Sequence, residues 1–165
     1  PASSAGAGAG AKRPAEPRGG ADPAPSKKPS PSPAGGEADT NWQAQGAAAY
    51  RTGDYASAIS LFSRAIVMCG TGGTATLYSN RSAAHAAMTD YEKALADADE
   101  CVRLHPEWSK GYSRRGNALH GMRRLEEGKT AYEQALRLDP ENGVVKRSLQ
   151  DCDKILRAGP ASGAP

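Results

Sequence analysis

Three side chains have the types and spacing to act together on one ligand. Lys110 and Arg114 are four residues apart, so on a helix both project from the same face. Asn80 lies in an earlier helical stretch, flanked by Ser79, Ala83 and Ala87, whose small side chains leave room for a ligand backbone to approach. A Lys supplies a point charge, an Arg a planar fork of donors, and an Asn an amide that pairs with backbone or acid. Together they suit a carboxylate, and charge-assisted hydrogen bonds contribute about 1.5–3 kcal/mol each. The same charges could instead be solvated helix residues balancing Glu107 or Glu133, and the pattern alone leaves both options open.

Other chemistries find less support. Gly128-Lys129-Thr130 resembles the end of a phosphate-binding loop, but that motif needs a glycine where Arg123 stands and a strand leading into the loop. Here the residues fall inside a helical pattern, with Gly128 at a small packing position. Cys101 and His105 could share a helix face, yet no second pair completes a tetrahedral metal set. Gly70, Gly72 and Gly73 read as a permissive turn, and no nucleophile elbow or Ser-His-acid grouping is present. The expectation is a non-enzyme without cofactor or metal.

The elements that would position these residues follow from composition and period. About four-fifths of residues 1–38 are Gly, Pro, Ala or Ser, too poor in apolar side chains to offset the entropy of ordering, so a disordered linker is expected there. From Thr40 onward, apolar and small residues recur at helical spacing. The breaks fall at Gly53-Asp54, at Cys69–Gly73, at Thr89-Asp90, at His105-Pro106 and at Asp139-Pro140, the prolines disfavouring helix just before them. Helices are expected over about 75–88, 91–104, 109–121, 125–138 and 143–157.

The period is about 34 residues. Trp42, Gly46, Ala58, Phe62 and Ala65 mark the first unit, and Tyr78, Ser82, Ala94, Ala98, Cys101 and Pro106 the second. Tyr112, Gly116, Gly128, Tyr132, Ala135 and Pro140 mark the third. This pattern resembles the tetratricopeptide repeat. The fold expected is all-α, a right-handed superhelix of three helix-turn-helix units at about 39–74, 75–108 and 109–142. A capping helix at 143–157 would cover the apolar end with Val145, Leu149, Cys152 and Leu156, giving a domain over 39–158 and a flexible tail over 159–165.

Two segments carry a more specific resemblance. Leu77-Tyr78-Ser79-Asn80-Arg81-Ser82-Ala83-Ala84 and Trp108-Ser109-Lys110-Gly111-Tyr112-Ser113-Arg114 are similar to the repeats of the stress-inducible, Hsp-organising co-chaperone family. That resemblance implies a groove that holds the Glu-Glu-Val-Asp tails of the major cytosolic heat-shock chaperones. The family's two-carboxylate clamp uses a Lys and an Asn in the first unit, an Asn in the second, and a Lys and an Arg in the third. Asn80, Lys110 and Arg114 match. The first-unit Lys position is Gln43 and the Asn position is Ala47, so half of the clamp departs from the pattern. Arg51, one turn beyond Ala47, is the candidate for partial compensation.

The expected partner is therefore a chaperone tail or another acidic C-terminal peptide. The alternative is a repeat scaffold that docks a different protein without a clamp. RNA binding through Arg81, Arg114, Arg115, Arg123 and Arg124 is disfavoured by alternating charges and a formal net charge of only +3. Three scattered cysteines, none in a CxxC pair, fit a reducing compartment, and no apolar run reaches membrane length. A cytoplasmic location is expected, with a nuclear one open because Lys12-Arg13 and Lys27-Lys28 form paired basic clusters.

Overall fold

The computed structural model describes residues 38–70 and 74–159. Among the described residues there are seven helices: α1 (Ala38–Arg51), α2 (Tyr55–Met68), α3 (Ala75–Ala87), α4 (Tyr91–Leu104), α5 (Ser109–Gly121), α6 (Leu125–Leu138) and α7 (Gly143–Ala158). The helix limits agree with the sequence periodicity to within two residues. The expected linker with its basic pairs, the glycine turn at 71–73 and the tail from 160 lie outside the described residues.

Each break has a local cause. Asp54 accepts from the Ser57 amide at 3.1 Å and Asp90 from the Lys93 amide at 3.4 Å, starting α2 and α4. Asn142 does the same for α7 through the Val145 amide at 3.2 Å. The chain reverses just before α2, α4 and α6 through a left-handed residue: Gly53 at φ 83°, Thr89 at 62° and Arg123 at 63°. Only the first uses the residue type that adopts this conformation without steric cost.

Within each unit the two helices cross at one small residue. A Cβ on Gly46 would sit 2.7 Å from the Phe62 ring, and one on Gly116 would sit 2.5 Å from the Tyr132 ring. The second unit solves the same crossing with the volumes reversed. Ser82 replaces the glycine, Ala98 replaces the aromatic ring, and the Ser82 hydroxyl donates to the Ala94 carbonyl at 2.7 Å. Phe62 and Tyr132 are both 1% exposed and anchor the apolar clusters at the two ends. α7 closes the second cluster with Val145 and Cys152, both buried, and Leu149 packed against them.

Among the described residues, α1 touches α3, α3 touches α5, and α5 touches α7, whereas α2, α4 and α6 make no such contacts with one another. The first helices of the units thus form the tight inner layer and the second helices splay on the outside. That difference in spacing curves the stack into a superhelix with α1, α3 and α5 on its concave side.

Gly116→Ala should lower stability by about 1–3 kcal/mol, because the added methyl meets a buried ring that has no room to move. Gly143→Ala, where an added Cβ meets nothing within 4 Å, should be close to neutral. Urea denaturation of both variants checks this, and an unchanged midpoint for Gly116→Ala would contradict the packing argument.

Candidate functional site

The three candidate residues sit on the inner helices. Asn80 is on α3, while Lys110 and Arg114 are on α5, and all three are half-buried. Asn80 and Arg114 occupy the same repeat position, 34 residues apart, on neighbouring inner helices. Small residues continue around it: Ala83 is 7% exposed, and Ser79 is fully buried between α3 and α5.

Arg114 is the centre of this arrangement. Its Nε donates to the Ser79 hydroxyl at 3.4 Å, tying α5 to α3. Its positive charge also acts on Tyr50 of α1, partly offsetting the burial that raises that phenol. One guanidinium therefore lies within reach of all three inner helices. Lys110 holds its ammonium 6.0 Å from the Trp108 ring centroid, a cation–π arrangement that steers the chain along α5. Both cations act on the Cys101 thiol, yet burial dominates and pushes it up to about 12. Burial in α4 thus disfavours the Cys101 thiolate despite the two nearby cations.

The α1 side is different. Gln43 and Ala47 are half-buried and Arg51 is exposed in the last turn of the helix. Tyr50, a half-buried residue near the end of α1, is reached by the charge of Arg114. It packs against Tyr55 with ring centroids 5.3 Å apart and joins the first apolar cluster. An aromatic three residues before Gly53 carries no sequence signal for a link to Arg114.

Other residues singled out in the sequence have structural duties. Gly128 is buried in the first turn of α6, where a Cβ would lie 3.4 Å from the Gly116 carbonyl and the His120 amide. Lys129 pairs with Asp153 of α7 at 2.7 Å, and the Thr130 hydroxyl donates to the Glu126 carbonyl at 3.0 Å. Arg81 donates to both oxygens of Asp97, at 2.8 and 2.6 Å, and to the Ser63 hydroxyl at 2.9 Å. Arg115 pairs with Asp99 and Arg124 with Glu127. Three of the five arginines considered for RNA are thus matched by carboxylates. Among the described residues no cluster of three or more His, Cys, Asp or Glu could hold a metal ion. No helix among them is long and apolar enough to cross a membrane.

Comparison with known proteins gives this geometry a lineage. Residues 109–142 match the tetratricopeptide repeat family. The chain is 41% identical over 117 residues to heat shock protein STI1 of Saccharomyces cerevisiae, covering 71% of this chain and 20% of that protein. The folded part is a tetratricopeptide repeat domain. It is also 43% identical over 118 residues to the Hsp70-Hsp90 organizing protein of Triticum aestivum, covering 72% of this chain and 20% of the relative. The chain thus spans about a fifth of the length of these curated relatives. Among solved structures, it resembles the second repeat domain of human RPAP3 in complex with the HSP70 peptide SGPTIEEVD. The TM-score is 0.64 at 29% identity, with 72% of this chain and 94% of that one covered.

The cysteines of the repeat domain provide a direct check on the site's packing. Cys101 and Cys152 are fully buried and both thiols are raised by burial, whereas Cys69 is half-buried. Iodoacetamide at pH 8 should modify Cys69 first and reach Cys101 only at the rate of unfolding. Mass spectrometry of a labelling time course reads this out, and early loss of Cys101 would show that the packing of α4 against α5 is open.

Proposed function

We propose that this domain is a co-chaperone-like adaptor that holds an acidic C-terminal peptide, the tail of a cytosolic heat-shock chaperone, in its concave groove. The observation that carries the proposal is the position of Arg114, hydrogen-bonded to α3 and acting electrostatically on α1. A carboxylate entering the groove meets that guanidinium, with Lys110 one turn away on the same face and Asn80 at the equivalent position of the neighbouring helix. The names of the STI1 and Hsp70-Hsp90 organizing relatives, and the HSP70 peptide bound to the RPAP3 repeat domain, support this choice of ligand. Such tails are found in the cytosol, and the proposal puts this chain there.

The clamp is partial. Gln43 offers one neutral hydrogen bond, Ala47 offers none from its side chain, and Arg51 supplies charge at the rim. Relative to a site with Lys and Asn in the first unit, the loss is about 2–4 kcal/mol, or roughly 30- to 1000-fold in affinity. The same departure motivates a second reading, a repeat scaffold that docks another protein through the groove with no need for a free carboxylate.

Isothermal titration with a peptide ending Glu-Glu-Val-Asp, as free acid and as C-terminal amide, separates the two. The free acid should bind more tightly. Lys110→Ala and Arg114→Ala should each weaken it by about 10- to 150-fold, the equivalent of one charge-assisted hydrogen bond. Installing Gln43→Lys with Ala47→Asn should tighten it by at least about 10-fold. Equal binding of acid and amide, with no response to either alanine variant, would rule out the clamp and leave the scaffold.

A further inference from the structure

The second and third units differ on their outer faces in a way that exposes a second site. In the second unit Arg81 lies over the seam between α3 and α4, donating through three nitrogens to Asp97 and Ser63. The Asp97 side chain is only 8% exposed. Thirty-four residues on, the arginine repeats as Arg115, but Asp97 becomes Ala131. The buried carboxylate has been replaced by a methyl group.

The consequence is a cleft of about 290 Å³ between α5 and α6, lined by Tyr112, Arg115, Leu119, Thr130, Ala131 and Gln134. Its floor is largely apolar, since His85 of the second unit is replaced by Leu119. Arg115 pairs with Asp99 of α4, Nε to oxygen at 3.1 Å, at the repeat position that Ser63 holds toward Arg81, and its side chain is 44% exposed. Glu127, at the edge of the cleft, is occupied by two contacts of 2.7 Å from Arg124.

We propose that this outer cleft docks a partner peptide segment carrying an acidic side chain beside an apolar one. The apolar group would lie on Leu119, Ala131 and Tyr112. The carboxylate would meet Arg115 at the place where Asp97 meets Arg81. The complementarity is written in the chain itself, because the neighbouring repeat fills the equivalent space with its own carboxylate. The site is independent of the concave groove, being built from the opposite side of the unit and requiring no free C-terminus.

The test uses the isotope-labelled full chain and two acetylated, C-terminally amidated hexapeptide pools, one with a central Leu-Asp and one with a central Leu-Asn. The amide resonances of Tyr112, Arg115, Leu119 and Ala131 should shift with the Leu-Asp pool, while those of Asn80 and Lys110 stay in place. Ala131→Asp, which imitates the second unit, and Arg115→Gln, a change at an exposed side chain, should each weaken this binding by at least ~10-fold. Retained titration of the concave groove by the Glu-Glu-Val-Asp peptide would show that neither variant acts by unfolding. No shift at millimolar peptide, equal shifts from both pools, or shifts that survive Ala131→Asp would overturn the proposal.

Discussion

The structure depends on how closely two helices can cross within a unit. A glycine against a ring, Gly46 with Phe62 or Gly116 with Tyr132, brings the backbones together and seals the space with one large side chain. Ser82 with Ala98 reaches the same spacing by a different division of volume, adding a hydrogen bond from the hydroxyl to the Ala94 carbonyl. Protein interiors are packed nearly as densely as organic crystals, so either solution works only as a pair. Mixing them would leave a cavity or a clash. This constraint fixes the geometry of each unit, and stacking three of them fixes everything else.

Because the inner helices touch and the outer helices do not, side chains on the two faces of the stack meet different conditions. On the inner face, residues from successive units converge, and that is how Arg114 comes to bear on α3 and α1 together. On the outer face the seams are wider and must be filled by long side chains. Arg81 does this with Asp97 and Ser63. The same residue type at Arg115 finds Ala131 where Asp97 would be, and a cleft remains. Curvature thus gives one groove that gathers charge and one set of seams that absorbs it.

Most of the fold was legible in the sequence because it is repetitive: helix limits, the small crossing residues and the capping face of α7 all recur at a fixed period. Side chains that act between helices were harder to read. Arg81 looked like a spare cation on sequence, since its partner Asp97 lies 16 positions away on another helix. A carboxylate in the apolar stripe beside Ala94 and Ala98 was the available clue. Tyr50 gave no clue, because its relation to Arg114 spans 64 residues and exists only after two units have stacked. Periodicity reports what each helix does for its own unit, and interfaces between units are set by how those units turn.

The charge on the groove is lopsided, and this constrains any ligand more than its depth does. Lys110 and Arg114 place two cations on α5, Asn80 adds a neutral donor on α3, and the α1 positions Gln43 and Ala47 add no charge. Under the proposed function a ligand carboxylate gains most beside α5, which carries both cations. Toward α1 the proposed contacts are the Gln43 amide and the Ala47 methyl, which favour a ligand backbone or an apolar side chain over a second anion. A peptide held as proposed would place its strongest acceptor on α5 and its less polar portion over α1. Arg51, exposed in the last turn of α1, adds less to that direction than Arg114, because a solvated charge is screened more than one half-buried against Ser79.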